Sequence, residues 1–174
     1  MTFEIHSDIT NRSMTIASRA MRRVLRRKRN IIWAIFDWSV FFINALLLIP
    51  FDGEPFTLDV TTVTALLVEV MLLSVLLFRD RFNGMIARKN TLAGTKAYHF
   101  VFGEDSYTII TEVVTSTFHY ELIDALAESQ DYIIFLMKKR YAQPLDKRTL
   151  TGGTVEECKR FLEEKTGKTF RHVK

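Results

Sequence analysis

Two apolar stretches, Ile31–Phe51 and Leu58–Phe78, each run for 21 residues without a Lys or Arg, separated only by the polar link Asp52–Thr57. A helix of about 20 such residues covers a hydrocarbon core of roughly 30 Å. The pair therefore predicts a two-span transmembrane helical hairpin. The alternative is a helical hairpin buried inside a soluble protein. With 174 residues and 48% hydrophobic content, the chain offers too little other structure to cover two such helices on every side. A cleaved signal peptide fits no better, because the first run starts only at Ile31, is too long for a signal core and is followed by a second.

Charge gives the hairpin an orientation. Arg19, Arg22, Arg23, Arg26, Arg27, Lys28 and Arg29 precede the first run, and Arg79, Arg81, Arg88 and Lys89 follow the second. The link holds Asp52 and Glu54 and no cation. Positive charge resists translocation, so both termini are expected in the cytoplasm and the link outside. Residues 1–30 carry eight Lys/Arg against two Asp/Glu, whereas residues 31–78 carry five acids and no base. The basic charge thus sits beside the membrane and not across a nucleic-acid-sized face. Its expected counterpart is anionic lipid headgroups, with Arg19, Arg22, Arg23, Arg26, Arg27, Lys28, Arg29, Arg79 and Arg81 as candidate contacts.

The rest divides into an N-terminal segment (1–30), the hairpin (31–78, with spans 31–51 and 58–78), a joint (79–97) and a C-terminal cytoplasmic domain (98–174). Thr2–His6 alternates polar and apolar residues, the pattern of a half-buried strand that must pair with something. Asp8 or Thr10 can cap a helix running to about Arg29. On it Met14, Ala17, Ala20, Met21, Val24 and Leu25 share one arc, opposite Arg12, Arg19, Arg22, Arg23 and Arg26. Such a basic amphipathic helix can lie in the lipid interface, or its apolar face can pack on the cytoplasmic domain. Strands are expected at Tyr98–Phe102, Ser106–Val114, Thr117–Tyr120, Tyr132–Met137 and Tyr141–Leu145. A closing helix starts at Thr154, whose spacing from Glu157 is that of a capping box. Five strands and a helix predict a small β-sandwich or partly open barrel.

Asp37, Asn44 and Glu69 are the unusual polar residues of the spans. A carboxylate at mid-helix depth costs on the order of 2.5–3.5 kcal/mol on insertion scales, so such groups seldom face lipid. Asp37 and Glu69 fall at similar depths when counted from the cytoplasmic ends, and two facing carboxyls would share one proton. The trio can bond the hairpin or an oligomer together, dock onto another membrane protein, or line an ion path. Elsewhere His6, His99, His119 and His172 are scattered, and the single Cys158 can form no internal disulfide. Gly152-Gly153 reads as a turn, and Lys138-Lys139-Arg140 as a solvated strand end or a headgroup-facing patch. No metal-ligand spacing, cofactor motif or nucleophile with its base is legible.

Several stretches carry a resemblance: Phe102-Gly-Glu-Asp-Ser-Tyr107, Tyr120-Glu-Leu-Ile123, Asp131-Tyr-Ile-Ile-Phe135, and Arg140-Tyr-Ala-Gln-Pro-Leu-Asp-Lys147 running into Gly153-Thr-Val-Glu-Glu157. With the strand, helix and two spans before them, they resemble the YcxB-like family of bacterial membrane proteins. The resemblance implies a pleckstrin-homology-like domain, a bent β-sandwich closed at one end by a helix. It implies no activity and no catalytic residue. The expectation is a non-enzymatic protein of the bacterial inner membrane. An adaptor or regulatory subunit, binding another membrane protein or anionic lipid, is expected first. A homo-oligomeric channel or transporter-like module lined by Asp37, Asn44 and Glu69 is the alternative, and an immunity factor against a membrane-active toxin a further one.

Overall fold

The computed structural model describes residues 2–49, 58–91, 93–137 and 141–173. The link Asp52–Thr57 and the basic cluster Lys138-Lys139-Arg140 lie outside the described residues.

The fold mixes helices with two four-stranded sheets. Strand β1 (Glu4–Asp8) buries Ile5 and Ser7 on one side, as its alternation predicts. It pairs antiparallel with β2 (Ala97–Phe102), placing Ile5 opposite Phe100 and Asp8 opposite Ala97. β3 (Ser106–Ile110) and β4 (Thr115–His119) complete that sheet in the order β1-β2-β3-β4. The second sheet has the order β7-β6-β5-β8, built from β5 (Ile123–Glu128), β6 (Tyr132–Met137), β7 (Tyr141–Asp146) and β8 (Phe170–His172). All its pairings are antiparallel except β5 with β8. Helix α4 (Val155–Thr166) follows β7, with Thr154 and Glu157 bonded reciprocally as a capping box.

Among the described residues, three α-helices lie between β1 and β2. They are α1 (Asn11–Ala20), α2 (Arg27–Leu47) and α3 (Val60–Lys89). The insertion closes at its base, where Ile9 donates its N–H to the Lys96 carbonyl at 2.8 Å. The helix expected to run unbroken to Arg29 instead widens into a π-type turn at Met21–Leu25 and breaks at Arg26. α3 continues well past Phe78 to Lys89, through most of the segment expected as a joint. It is, among the described residues, a helix long and apolar enough to cross a membrane. Large apolar side chains of both α2 and α3 stay exposed, Ile32, Phe42, Leu67 and Met71 among them, so the fold does not bury these helices in a core.

One core fills the space between the sheets, around Phe100, Phe102, Tyr107 and Phe135, with Ile5, Leu126, Cys158 and Leu162 against them. The Tyr107 and Phe135 rings meet edge to face at 5.3 Å, a geometry worth about 0.5–1.5 kcal/mol beyond the area it buries. β6 is buried at all six positions, which explains its unbroken run Tyr-Ile-Ile-Phe-Leu-Met. Both faces of its sheet are covered.

The strands differ from the sequence-based expectation in three places. β3 ends at Ile110 and not Val114 because Thr111 turns the chain, its Oγ1 accepting from the N–H of Val113 and of Val114 at 3.3 and 2.9 Å. β5 has the sequence Ile-Asp-Ala-Leu-Ala-Glu, poor in β-branched residues; tertiary burial decides it, as is usual for strands. β8 is only three residues long and leans on β5.

Candidate functional site

The site of interest is where α1, the adjoining ends of α2 and α3, and the domain meet. Thr10 caps α1, accepting from the Ser13 N–H at 3.0 Å. Of the apolar arc, Ala17, Ala20 and Met21 are buried against the outer face of the second sheet, on Ala125, Ala127, Ile134 and Leu136, while Met14 is buried beside the cavity described below. Of the two placements open to this arc, α1 adopts the one on the domain. Small residues on both sides let helix and sheet approach closely, and Arg12 adds an ion pair to Asp131 at 2.5 Å.

α1 also packs on the far half of α3. A Cβ on Gly84 would lie 2.7 Å from the Thr15 Cα, N and Oγ1, so only glycine permits this crossing. On either side of it, Arg88 donates to Asn11 at 3.1 Å and Arg22 grips Asp80 with two bonds of 2.7 and 2.5 Å. Arg19 stands 3.4 Å from the same carboxylate. The hydrogen bond to Asp80 raises the Arg22 guanidinium above its ordinary value, against the opposing effect of burial. Asp80 and Gly84 were not singled out from the sequence. Their signals were a lone acid among the bases of 79–97 and a glycine in mid-helix.

Beneath these contacts lies a cavity of about 920 Å³. Its helical wall carries Arg22, Arg26, Arg29, Arg79 and Trp33, and its sheet wall includes Ile109, Val114, Phe118 and Met137. Among the described residues, no Asp or Glu lines it.

The headgroup candidates divide by partner. Arg19 and Arg22 share Asp80, and Arg79 reaches Asp37 at 3.4 Å. The Arg81 guanidinium lies 5.6 Å from the centre of the Phe78 ring. Arg23, Arg27, Lys28 and Arg29 are exposed, and Arg26 is half-buried at the cavity. Asp37 is thus paired with Arg79 and not with Glu69, contrary to the expected facing carboxyls. Asn44 borders a separate cleft of about 480 Å³ with Thr61, Thr64 and Val68. Glu69 is 8% exposed, and neither carboxylate oxygen has a hydrogen-bond partner among the described residues.

In the domain, Gly152 adopts a φ of +87° and, with Gly153, leaves room for the backbone of Thr2 and the ring of Phe3. The doublet is a turn that admits β1. His99 bonds Glu4 across the β1–β2 pair at 3.1 Å. Burial pushes the Cys158 thiol up to about 12. Among the described residues no group of His, Cys, Asp and Glu could hold a metal ion.

Glu128 ties β5 to α4 and to the turn after β7, accepting from Lys159 at 2.7 Å and from Lys147 at 2.6 Å. Burial alone would raise its carboxyl, but the two ammonium groups outweigh that and hold it below its ordinary value of 4.5. A carboxyl lowered on folding stabilises the fold fully above its unfolded value and loses that contribution as pH falls through the folded one. Glu128→Gln should therefore cost about 1–3 kcal/mol at neutral pH. Denaturant unfolding of both proteins from pH 7 to 3 should show the gap narrowing below pH 4.5; a gap constant with pH would refute the assignment.

Comparison with curated proteins and with solved structures returns no match. A family model described as YcxB-like protein matches residues 102–162, from the last residue of β2 into α4. The chain therefore carries a YcxB-like domain, the family its aromatic and turn motifs resembled.

Proposed function

We propose that this is a non-enzymatic, two-span protein of the bacterial inner membrane, with both termini cytoplasmic, acting as an adaptor or regulatory subunit for another membrane protein. In this reading α2 and α3 form the hairpin. The exposure of Ile32 at 67%, Leu67 at 66% and Val70 at 64% supports it, since such surface is stable in lipid and costly in water. The domain is read as pleckstrin-homology-like, supported by an order of four strands, three strands and closing helix once β1 is counted.

The observation that carries the function is the double packing of α1. One face lies on the second sheet and another crosses α3 at Gly84. A domain joined by a flexible tether would have neither contact. Held this way, it presents one fixed face to whatever stands beside the hairpin. Crosslinking in native membranes followed by mass spectrometry tests this. One foreign membrane protein recovered with wild type is the expected result. Recovery of this chain and lipid alone would sink the adaptor reading.

A homo-oligomeric channel competes with it on one observation, the buried and unbonded carboxylate of Glu69. Against it, Asp37 is already paired with Arg79 and so offers no free charge to a pore. Pure protein in liposomes should conduct no ions. Flux abolished by Glu69→Ala would reverse the ranking.

A further inference from the structure

We propose that the cavity under α1 binds one anionic glycerophospholipid, its phosphate at Arg29 and one acyl chain drawn out of the bilayer between the helices and the first sheet. This rests on the membrane-spanning reading above. At about 920 Å³ the cavity stands at the upper end of the range for ligand pockets, roughly 300–1,000 Å³. An inorganic anion would leave most of it empty.

The two ends of the cavity differ in character. Arg29, Arg79 and Trp33 line it next to the apolar stretches of α2 and α3. In a membrane-spanning chain this end lies at headgroup depth, where cations meet lipid phosphates and Trp anchors the interface. Ile109, Phe118 and Met137 line it on the domain side, among the polar Thr111, Ser116 and Gln143. Val114, at the β3–β4 turn, remains 43% exposed there. Val114 is the exposed apolar surface of that wall, since Ile109 and Met137 are buried in the core between the sheets and Phe118 packs against it.

Charge selects the headgroup. Arg22 and Arg79 have Asp80 and Asp37 as partners, whereas Arg29 is exposed and has none among the described residues. A guanidinium binds a phosphate through two parallel bonds. A zwitterionic lipid would bring its own cation to a wall that has no carboxylate among its described residues. An uncharged alkyl ligand would leave Arg29 without a partner. An anionic lipid meets both requirements.

The test places the full chain in phosphatidylcholine nanodiscs containing a minor fraction of phosphatidylglycerol with a photoreactive diazirine midway along one acyl chain. Adducts are then mapped by mass spectrometry. Labelling is expected on peptides holding Ile109, Phe118 or Met137. It should fall about tenfold when the same chain is carried by phosphatidylcholine, and about tenfold in Arg29→Ala, the loss of one charge-assisted contact. Val114→Trp, which fills the apolar end from an exposed position, should lower labelling of the domain and leave that of α2 and α3 unchanged. Three results would each overturn the lipid site: adducts confined to α2 and α3, equal labelling from phosphatidylcholine, or labelling of the domain displaced by inorganic phosphate. If alkaline carbonate strips the chain from membranes, the spanning reading fails and the lipid site with it. Retention in carbonate with an unlabelled domain removes the lipid site alone.

Discussion

Gly84→Leu is expected to separate the domain from the helices that hold it. The new Cβ would meet the Thr15 Cα and N at 2.7 Å, and backbone cannot swing aside as a side-chain end can. α1 must then lift off α3. The Arg88–Asn11 bond and the Arg22–Asp80 pair flank this crossing, so both stretch or break with it. Overpacking alone costs typically about 1–3 kcal/mol. Breaking a largely buried ion pair adds a comparable amount, since Asp80 has a side chain only 13% exposed. α1 stays bound to the second sheet through Ala17, Ala20 and the adjoining Met21, so the domain itself should remain folded. Spin labels on α1 and α3 should report a wider and broader distance distribution. Proteolysis should become faster within Met21–Arg26, where the helix is already interrupted. Any partner crosslinked to wild type should be lost. Gly84→Ala places the same first carbon there and should show a weaker form of the same behaviour. An unchanged distance in Gly84→Leu would mean that the crossing does not hold the domain.

The second large effect concerns β1. Residues 97–174 on their own are expected to be unfolded or molten, although they hold every other strand and α4. Without β1 the core loses Phe3 and Ile5, which are 3% and 0% exposed, and β2 becomes an open edge. Truncating one buried Phe costs about 3–5 kcal/mol and one buried Ile about 2–5 kcal/mol. Together these match the whole stability of a typical domain, about 5–15 kcal/mol. Thr149 and Thr151 also lose their bonds to the β1 backbone, at His6 and Glu4. Circular dichroism of the fragment should show no cooperative melt. Addition of a peptide covering residues 2–9 in trans should restore one, with Ile5→Asp in that peptide abolishing the rescue. A cooperative melt from the fragment alone would show that β1 is dispensable.

Much of the architecture was legible because it is written locally. Thr154 and Glu157 stand three residues apart, and the capping box forms wherever that pair meets a helix start. The run Tyr132–Met137 and the alternation of Thr2–His6 each describe how many faces of a strand are covered. β5 was not among the expected strands because Ile-Asp-Ala-Leu-Ala-Glu is poor in β-branched residues. Its alanines are small for a reason that lies elsewhere in the chain, since α1 rests its own alanines on them.

The candidate site was legible only in part. The arginines before and after the apolar stretches were visible, but not which of them are spent on partners. Asp80 consumes Arg19 and Arg22, and Asp37 engages Arg79 rather than standing opposite Glu69. Side-chain depth along a helix can be counted from sequence, but the rotation and offset of two helices cannot. Those depend on close contacts such as Gly84 against Thr15.

By itself, then, the sequence determined the two apolar stretches, their basic flanks, the amphipathic arc of α1 and most strands of the domain. Each follows from hydrophobic period, charge or capping within a few residues. Only the tertiary structure decided that β1 belongs to the domain's sheet, that α1 turns its apolar face to that domain, and that a basic-rimmed cavity opens beneath it. These join residues separated by the whole helical insertion. Their pairing is set by which surfaces can be buried together, a property of the assembled chain and of no segment within it.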